Sequence, residues 1–451
     1  MLFRSGEDVF LNKSSGGIAL FTTVRVAYSR PNFPINDNVI RNLFERNNGR
    51  RRTLGEVMQA TKNTLSSVYK LGFCLIGDPA VKMAYPEFGM KVTTVNGQSV
   101  DGNSISFKAL EKITVEGEVL DASGQLVTDF TGIVNPTVKD SKVTVTCLKN
   151  SNKDDSPAFT FTDYPNTIFI GNDSVRNGKF SFTFTVPKDI SYSNLQGKMN
   201  LYAVDTESGN EAQGNFDNFI VGGTSDTAET DTIGPEIRAL YLNDTTFVDG
   251  GQVNTTPYFV AELWDKSGVN ITGSSVGHDM MLVIDESTVL SYNLNSYYEL
   301  LLGEDGTGIV KFPIPALEPG KHTAEFWVWD ILNNSTVRTF TFEVVEGLKP
   351  FLFDVIATPG IAREQVTFHL MHNRPESRMR VGIMVYDLAG RQLWKHEESG
   401  TSGLFENYTV SWDLTSGGAR MRPGVYIYRA AISTDNSKDA TKARKFIILG
   451  E

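Results

Sequence analysis

Hydrophobic residues follow two different patterns along the chain. Up to about residue 90 they form short continuous runs and stripes at helical spacing, which is typical of an α/β segment. From residue 91 onwards they alternate with polar residues, as in the segment 180–186, FSFTFTV. This second region lacks helical periodicity, and its many short strands with regular turn signals indicate β-sandwiches. The sequence therefore predicts a mainly β protein with an α/β segment at its start.

The α/β segment has the order strand, helix, helix, strand. Residues 16–21 (GGIALF) and 73–76 (FCLI) are apolar runs that predict two buried parallel strands. One helix is predicted to run from Pro34 to Gly49, and a second from the capping pattern at Thr53 to about Tyr69. This amounts to about a third of an ordinary α/β domain. We therefore expect the chain to begin inside a domain.

A repeated strand ending indicates two complete sandwiches. Residues 202–205 (YAVD) are followed by Asn210, and residues 326–330 (FWVWD) by Asn333 and Asn334. In each case an alternating strand ends in an Asp that is expected to bond the backbone of its own turn. A polar linker at 222–231 separates the two, and a further β-domain begins at Gly347. The predicted domains are 1–90, 91–222, 232–346 and 347–451.

Composition and charge narrow the possible functions. Lys plus Arg is 42 and Asp plus Glu is 53, which gives a net charge of −11 and argues against nucleic acid as a partner. No apolar run approaches the about 18 residues that a membrane-spanning helix needs. Acidic residues stand at positions 7 and 8, so we expect no readable export signal in this chain. Cys74 and Cys147 are expected to be free buried thiols, with a bridge between them as the alternative.

Two residues of the α/β segment are candidates for catalysis. Cys74 would need a nearby base as a nucleophile, but all five histidines lie between positions 278 and 396. A packed core thiol is therefore the favoured interpretation. Asp78 ends a predicted strand, where α/β active sites gather, yet Gly-Asp-Pro is also an ordinary turn, and the turn is favoured.

Oxygen-bearing side chains cluster in sequence between residues 265 and 285. Asp265, Asn270 and Asp279 offer the hard oxygen ligands that calcium prefers, so a calcium site is one interpretation. The spacing is not that of an EF-hand loop, however, and His278 is a poor calcium ligand. A loop stabilised by the hydrogen bonds of its own Asp and Asn side chains is the favoured alternative. No cofactor is expected.

Several motifs, taken in their order along the chain, resemble a known family. Those that resemble the last part of the gingipain-type cysteine peptidase domain are 16–29 (GGIALFTTVRVAYS), 54–63 and 75–80 (LIGDPA). Those that resemble the β-domains of this family and a type IX sorting-type domain are 231–237 (DTIGPEI), 267–279, 385–391 (VYDLAGR) and 423–429 (PGVYIYR). The particular match, over nearly the whole chain, is to the C-terminal signal peptidases, or sortases, of type IX secretion in Bacteroidota. It implies the C-terminal fragment of a caspase-like α/β domain, tandem immunoglobulin-like β-sandwiches and a sorting-type β-sandwich.

The resemblance implies thiol proteolysis and transpeptidation. In this family a Cys–His pair attacks the peptide bond before the sorting domain of a secreted cargo, and water or an amine resolves the acyl-enzyme. The pair precedes the strand that matches residues 16–21, and here no Cys or His lies before Cys74. We therefore expect the catalytic pair upstream of this chain, a truncated or split gene, and no activity in the chain alone. In gingipains the loop after that strand lines the substrate pocket, which implies contacts from Thr23, Arg25 and Tyr28.

The resemblance also implies a location and partners. We expect the exterior of the outer membrane of a Bacteroidota bacterium, reached by an export signal outside this chain. The partners would be secreted cargo with C-terminal sorting domains and an outer-membrane β-barrel shuttle protein of the PorV type. A terminal strand is often a sheet edge that recruits a partner. The residues expected to dock are Lys445, Phe446, Ile447, Ile448 and Leu449.

Two functions from different classes remain open at this point. The first is the non-catalytic part of a cell-surface cysteine endopeptidase that removes sorting domains from cargo and supports surface attachment. The second is a non-enzymatic adhesion or scaffold protein built of tandem immunoglobulin-like domains. An upstream segment in the same reading frame, with a His and a Cys at the ends of caspase-like strands, would favour the first.

Overall fold

The chain separates into two compact units. The computed structural model describes residues 16–24, 29–47, 49–149, 157–226, 231–273, 277–301, 306–434 and 437–449. One unit comprises Met1–Gly89, Val119–Val127 and Val204–Gln213, and the other comprises Met90–Glu118, Thr128–Ala203 and Gly214–Glu451. Strands far outnumber helices in the described part, so the mainly β prediction is confirmed. The division into four domains stays a prediction.

The first unit contains the α/β segment. Its elements are β1 (Ala19–Thr23), α1 (Ser29–Phe44), β2 (Arg46–Asn47), β3 (Arg50–Arg51), α2 (Leu54–Thr64), a 3-10 helix (Val68–Gly72) and β4 (Phe73–Gly77). β1 and β4 pair antiparallel, from Ala19 opposite Gly77 to Thr23 opposite Phe73. The prediction of two buried parallel strands is therefore wrong. In β4 only Phe73 is buried, because helices contact one face of this two-stranded ribbon, whereas a buried parallel strand needs cover on both.

The helices confirm the predicted cap but not the predicted bounds. The Thr53 hydroxyl accepts the Glu56 N–H, and the Glu56 carboxylate accepts the Thr53 N–H, which is the predicted capping box of α2. The helix ends at Thr64, well before Tyr69, which lies in the 3-10 helix. α1 begins at Ser29, ahead of the predicted start. The buried core here is small: it consists of Ile35, Val39, Val57 and Phe73.

The first β region spans residues 88–224. Its strands are β5 (Phe88–Val95), β6 (Gln98–Ser99), β7 (Ile105–Ala109), β8 (Lys112–Leu120), β9 (Gly132–Lys139), β10 (Val143–Thr146), β11 (Thr160–Asp163), β12 (Thr167–Ile170), β13 (Asp173–Arg176), β14 (Lys179–Thr185), β15 (Leu195–Gln196), β16 (Lys198–Asp205), β17 (Glu211–Phe216) and β18 (Phe219–Thr224). The larger sheet includes the order β12-β9-β13-β14-β8. Phe180, Phe182 and Phe184 are buried and alternate with exposed Ser181 and Thr183, so the period-two prediction is confirmed.

The second β region spans residues 236–344 and has two sheets. Its strands are β19 (Glu236–Leu242), β20 (Gln252–Val253), β21 (Tyr258–Trp264), β22 (Met281–Ile284), β23 (Ser291–Asn293), β24 (Tyr298–Leu300), β25 (Thr307–Pro313), β26 (Gly320–Trp329) and β27 (Ser335–Val344), with a 3-10 helix (Asn295–Tyr297) before β24. The sheet orders are β19-β21-β25-β24 and β20-β27-β26-β22-β23. Between them lies a core that includes Phe259, Phe326 and Phe342.

The C-terminal β region spans residues 352–448 and also has two main sheets. Its strands are β28 (Leu352–Thr358), β29 (Ile361–Ala362), β30 (Val366–His372), β31 (Met379–Tyr386), β32 (Gln392–Gly400), β33 (Tyr408–Trp412), β34 (Thr415–Ser416), β35 (Ala419–Arg420), β36 (Gly424–Ser433) and β37 (Ala440–Ile448). The orders are β28-β30-β33 and β29-β37-β36-β31-β32.

The terminal strand β37 is not a free edge. It lies between β36 and the short strand β29, and Ile361 pairs with Ile447 in parallel register. The Ile447 and Leu449 N–H groups donate to the carbonyl oxygens of Gly360 and Ala362 at 3.1 and 2.9 Å. These backbone groups are already paired, so residues 447–449 do not present an open edge for strand addition; the docking role of residues 445–449 stays a prediction.

The two predicted turn-capping aspartates are confirmed. Asp205 Oδ1 accepts the N–H groups of Glu207 and Ser208 at 3.0 and 2.7 Å. Asp330 Oδ1 accepts those of Leu332 and Asn334 at 2.9 and 2.7 Å. Both hairpins therefore close in the same way.

The cysteines depart in part from expectation. Cys74 and Cys147 are free, as predicted, but Cys74 is half-buried and Cys147 is exposed. Cys147 follows β10, which ends at Thr146, so its side chain is not part of a buried strand. In the described part of the chain no helix is long and apolar enough to cross a membrane.

Candidate functional site

The segment after β1 carries the predicted substrate-pocket residues. Thr23 is the last residue of β1, is half-buried and lies opposite Phe73. The Val24 N–H donates to the Gly72 carbonyl at 2.8 Å, which fixes the point where the chain leaves the strand. Arg25 and Tyr28 lie outside the described residues. The contact role of all three stays a proposal.

The two catalytic candidates of this unit, Cys74 and Asp78, have structural roles. Cys74 lies opposite Thr22 in the β1–β4 ribbon. No histidine occurs before residue 278, so the sequence supplies no imidazole next to this thiol within residues 1–89. Asp78 Oδ1 accepts the Ala80 N–H at 2.8 Å, and its carbonyl accepts the Val81 N–H at 3.3 Å. Asp78 therefore closes the turn that the sequence favours.

The basic run at residues 50–52 forms ion pairs that sequence reasoning missed. Arg50 pairs with Glu56 at 2.5 Å, Arg51 with Glu87 at 2.8 Å and Arg52 with Glu45 at 2.7 Å. The hydrogen bond from Arg50, together with the Thr53 N–H, lowers the pKa of Glu56 to about 2. These arginines bind the chain's own carboxylates and do not form an open anion site.

The three predicted calcium ligands do not converge. Asp265 Oδ1 accepts the N–H groups of Ser267 and Gly268 at 2.8 and 2.9 Å, which closes its own turn. Asn270 Oδ1 accepts the Thr272 N–H at 3.0 Å. Asp279 Oδ1 accepts the Asn295 amide at 2.7 Å. The favoured interpretation, a loop held by its own side chains, describes these contacts.

A different set of carboxylates comes together around Asp265. Oxygens of Asp231, Asp265 and Asp330 lie within 4.8 Å of one another. Asp330 is completely buried, Asp265 is 5% exposed and Asp231 is half-buried. The Asn270 N–H donates to the Trp329 carbonyl and the Ile331 N–H to the Gly268 carbonyl, so the Asp265 loop lies against the β26–β27 hairpin.

This arrangement could hold a hard cation. Burial raises the pKa of Asp265, and the nearby Asp231 carboxylate raises it further. Burial and the Asp265 carboxylate likewise raise the pKa of Asp330. Like charges at this separation repel each other, and a cation between them would relieve the repulsion. Calcium takes roughly six to eight oxygen ligands. The three carboxylates could supply part of such a shell, with Asp265 as the one residue shared with the predicted set.

The raised pKa values of Asp265 and Asp330 make the stability of the folded chain depend on pH. Between the ordinary pKa of 3.8 and the raised folded values, the folded chain binds more protons than the unfolded chain. The two groups therefore destabilise the fold as the pH rises through this window. We expect Asp265→Asn to flatten the dependence of the melting temperature on pH above the ordinary pKa of 3.8. Differential scanning calorimetry in the presence of EDTA measures the melting temperature at each pH.

Asp279→Asn is the matched control for this measurement, because Asp279 also accepts a side-chain hydrogen bond but lies outside the cluster. A pH profile of Asp265→Asn that coincides with those of the parent chain and the control would contradict the account.

Asp189 organises a second polar centre that the sequence did not reveal. It follows β14 and accepts the amides of Asn333 and Asn270 at 2.9 and 3.4 Å, and it lies 2.6 Å from Nδ1 of His278. The His278 ring lies against Trp329, with 4.5 Å between ring centroids. Asp189 therefore joins the first and second β regions. Its partners lie 81 to 144 residues away, so no local motif could indicate them.

The predicted docking strand has one inward and one outward set of side chains. Phe446 and Ile448 are each 1% exposed and belong to the core of the C-terminal β region. Ile447 and Leu449 point outward and are more than a third exposed. Ile361 and Val425 lie on either side of Ile447 in the paired strands and are also exposed, which makes an aliphatic row.

Comparisons with known proteins relate this architecture to one family. Residues 4–84 match the model of peptidase family C25. PorU from Porphyromonas gingivalis, in the crystal structure of its dimeric latent form, is 36% identical over 96% of this chain. The chain covers 41% of that protein, and the TM-score is 0.39. Because this TM-score is below 0.5, the relationship rests on the sequence identity and not on the superposition. No match was found among curated proteins.

Other solved structures are much less similar in sequence. A tetra-tandem repeat from the extending region of a large adhesion protein is 14% identical, with a TM-score of 0.17. The match spans 81% of this chain and 74% of the repeat protein's chain. Native alpha-2-macroglobulin of E. coli is 9% identical, with a TM-score of 0.18. The match spans 77% of this chain and 31% of the macroglobulin chain. Neither likeness supports a functional conclusion. The identity to PorU, together with the match of residues 4–84 to peptidase family C25, shows in contrast that the chain is a PorU-like C-terminal fragment.

Proposed function

We propose that this chain is the non-catalytic C-terminal part of a cell-surface cysteine endopeptidase of the sortase type. The complete enzyme would remove C-terminal sorting domains from type IX secretion cargo and support the attachment of that cargo to the cell surface. The observation that carries the proposal is the 36% identity to PorU over 96% of the chain. The match of residues 4–84 to peptidase family C25 supports it independently.

The chemistry of the α/β segment supports a non-catalytic role for the chain by itself. A cysteine peptidase needs a thiolate next to a base, usually an imidazole. Residues 1–90 contain one cysteine and no histidine, and the Cys74 side chain is half-buried in the β1–β4 ribbon. We propose that the His and Cys of the active site lie outside this chain. Thr23, with Arg25 and Tyr28, would then line the substrate pocket that such a site requires.

We expect the purified chain to show no thiol-dependent cleavage of a protein that ends in a sorting domain. Mass spectrometry of the substrate after incubation, with and without an alkylating reagent, measures this. Cys74→Ala and Cys147→Ala should behave as the parent chain does, since we place the catalytic Cys and His outside this chain and no histidine occurs before residue 278. Cleavage that Cys74→Ala abolishes, while Cys147→Ala retains it, would contradict the proposal.

We propose that the chain works on the exterior of the outer membrane of a Bacteroidota bacterium. Its partner there would be a β-barrel shuttle protein of the PorV type. The pairing of Ile447 and Ile448 with β29 favours docking through outward side chains at this end of β37. The aliphatic row of Ile361, Val425 and Ile447 supplies an apolar centre for such a contact.

A further inference from the structure

A pocket of about 470 Å³ lies between the second and C-terminal β regions. Its volume falls within the range of about 300–1,000 Å³ that is usual for ligand sites. Polar and apolar side chains share its walls. The apolar ones belong to Tyr241, Phe353, Met371, Pro375, Leu404 and Phe405. Both β regions contribute residues to the wall of this open pocket.

The charged groups at the pocket wall are acidic. Asp244 and Glu406 line it, and no lysine or arginine occurs among the described residues of its wall. Asp244 Oδ1 accepts the Thr246 N–H at 2.8 Å, and Glu406 Oε2 accepts the Gly403 N–H at 3.2 Å. The other oxygen of each carboxylate has no partner among the described residues. Two carboxylate oxygens therefore remain available to a cation.

His372, also at the wall, does not offset this charge at neutral pH. Burial and the Arg374 guanidinium lower the pKa of His372 to about 4. Its Nε2 lies 2.8 Å from the Ser402 hydroxyl, and its Nδ1 accepts the Arg374 N–H at 3.1 Å. The imidazole is therefore neutral and fully paired. Arg374 is 1% exposed and donates to the carbonyls of Leu348 and Lys349, away from the wall.

Two features of the wall are unfavourable in the free chain. The Tyr241 hydroxyl is buried and has no hydrogen-bond partner among the described residues, which is uncommon. Burial and the carboxylates of Glu262 and Asp244 raise its pKa to about 12, so it keeps its proton and is a donor. Phe405, at the loop 403–406, has a positive φ of 65° and is 71% exposed. Such backbone strain in a bulky residue is found mainly at functional positions.

We propose that this pocket binds the side chain of a lysine or arginine in a peptide segment of a partner protein. The aliphatic stem of such a side chain would pack on Met371, Leu404 and Phe405, and its cationic end would reach Asp244 and Glu406. A neutral aliphatic side chain would fill the walls but leave both carboxylates unpaired.

The test uses the whole chain and a short fluorescent peptide, acetyl-Ala-Leu-Lys-Leu-Ala, in an anisotropy titration. The matched peptide has norleucine in place of lysine, which keeps the stem and removes the charge. We expect the norleucine peptide to bind about tenfold more weakly, and Glu406→Gln to weaken binding of the lysine peptide by about the same factor. Salt should weaken the lysine peptide selectively.

The controls separate a specific pocket from general acidity and from unfolding. Glu364→Gln removes an exposed carboxylate of the same β region outside the pocket and should bind the peptide as the parent chain does. Glu406 is exposed, so its replacement should not unfold the chain, which a melting curve checks. Absence of binding, equal binding of the two peptides, or an equal loss in Glu406→Gln and Glu364→Gln would overturn the proposal.

Discussion

Deletion of residues 445–451 is expected to unfold the C-terminal β region. The deletion removes Phe446 and Ile448, each 1% exposed, from the core. Phe446 contacts the rings of Phe368, Trp412 and Tyr428 there, with centroids 5.8–6.3 Å apart. Loss of a buried Phe costs about 3–5 kcal/mol and of a buried Ile about 2–5 kcal/mol. The sum reaches the whole stability of a typical domain, about 5–15 kcal/mol.

Limited proteolysis followed by mass spectrometry measures this result. We expect cleavage sites throughout residues 352–444 and continued protection of residues 236–344, whose core around Phe259 and Phe326 is separate. Deletion of residues 450–451 alone is the matched control and should leave both regions protected. Full protection of residues 352–444 after the longer deletion would contradict the description of β37 as a core strand.

This expectation changes how docking by the terminal strand is to be tested. A chain that loses residues 445–451 would fail to bind a partner simply because the domain is unfolded. The outward residues separate the two effects, since Ile447 is exposed and its change leaves the core intact. Ile447→Asp should reduce capture by the barrel protein, whereas Thr441→Asp, also outward on β37 but away from the aliphatic row, should not.

Replacement of Arg374 by leucine is expected to have the second largest effect. Arg374 is 1% exposed, and its guanidinium donates to the carbonyls of Leu348 and Lys349 at 3.1 and 3.4 Å and to Oδ1 of Asn373 at 3.0 Å. These bonds hold the segment that enters the C-terminal β region. Hydrogen bonds from a charged group contribute about 1.5–3 kcal/mol, so we expect a loss of about 2–3 kcal/mol.

Urea unfolding followed by tryptophan fluorescence measures the loss. Arg378→Leu is the matched control, because Arg378 is exposed and lies on the same loop. Arg374→Lys keeps the charge without the planar fork of donors and should be intermediate. Equal stability of Arg374→Leu and Arg378→Leu would contradict the structural role of the buried guanidinium.

Local patterns predicted the parts of the fold that local physics decides. Alternation of Phe180, Phe182 and Phe184 with polar residues placed one face of β14 in a core. Thr53 and Glu56, three residues apart, formed the capping box. Each of these features depends on residues within one element or one turn, where side-chain direction follows directly from backbone periodicity.

Features that depend on pairing between distant segments were not predictable in the same way. The apolar runs 16–21 and 73–76 gave the strands but not their antiparallel direction, which only the shared ribbon determines. Asp265 was singled out with Asn270 and Asp279, its neighbours in sequence. Its neighbours in space are Asp231 and Asp330, brought close by the β26–β27 hairpin and the segment before β19. The three aspartates are far apart in the sequence, so no local pattern could indicate that they lie close together.

We propose that this chain serves a cysteine peptidase whose His and Cys lie outside it. Immunocapture from the source cells with an antibody against residues 347–451, followed by mass spectrometry and a cleavage assay, tests it most directly. We predict that the captured material contains a peptidase segment with a His and a Cys, in the same polypeptide or a second one, and removes sorting domains in a thiol-dependent reaction. Capture of the 49.8 kDa chain alone, without thiol-dependent cleavage, would contradict the claim.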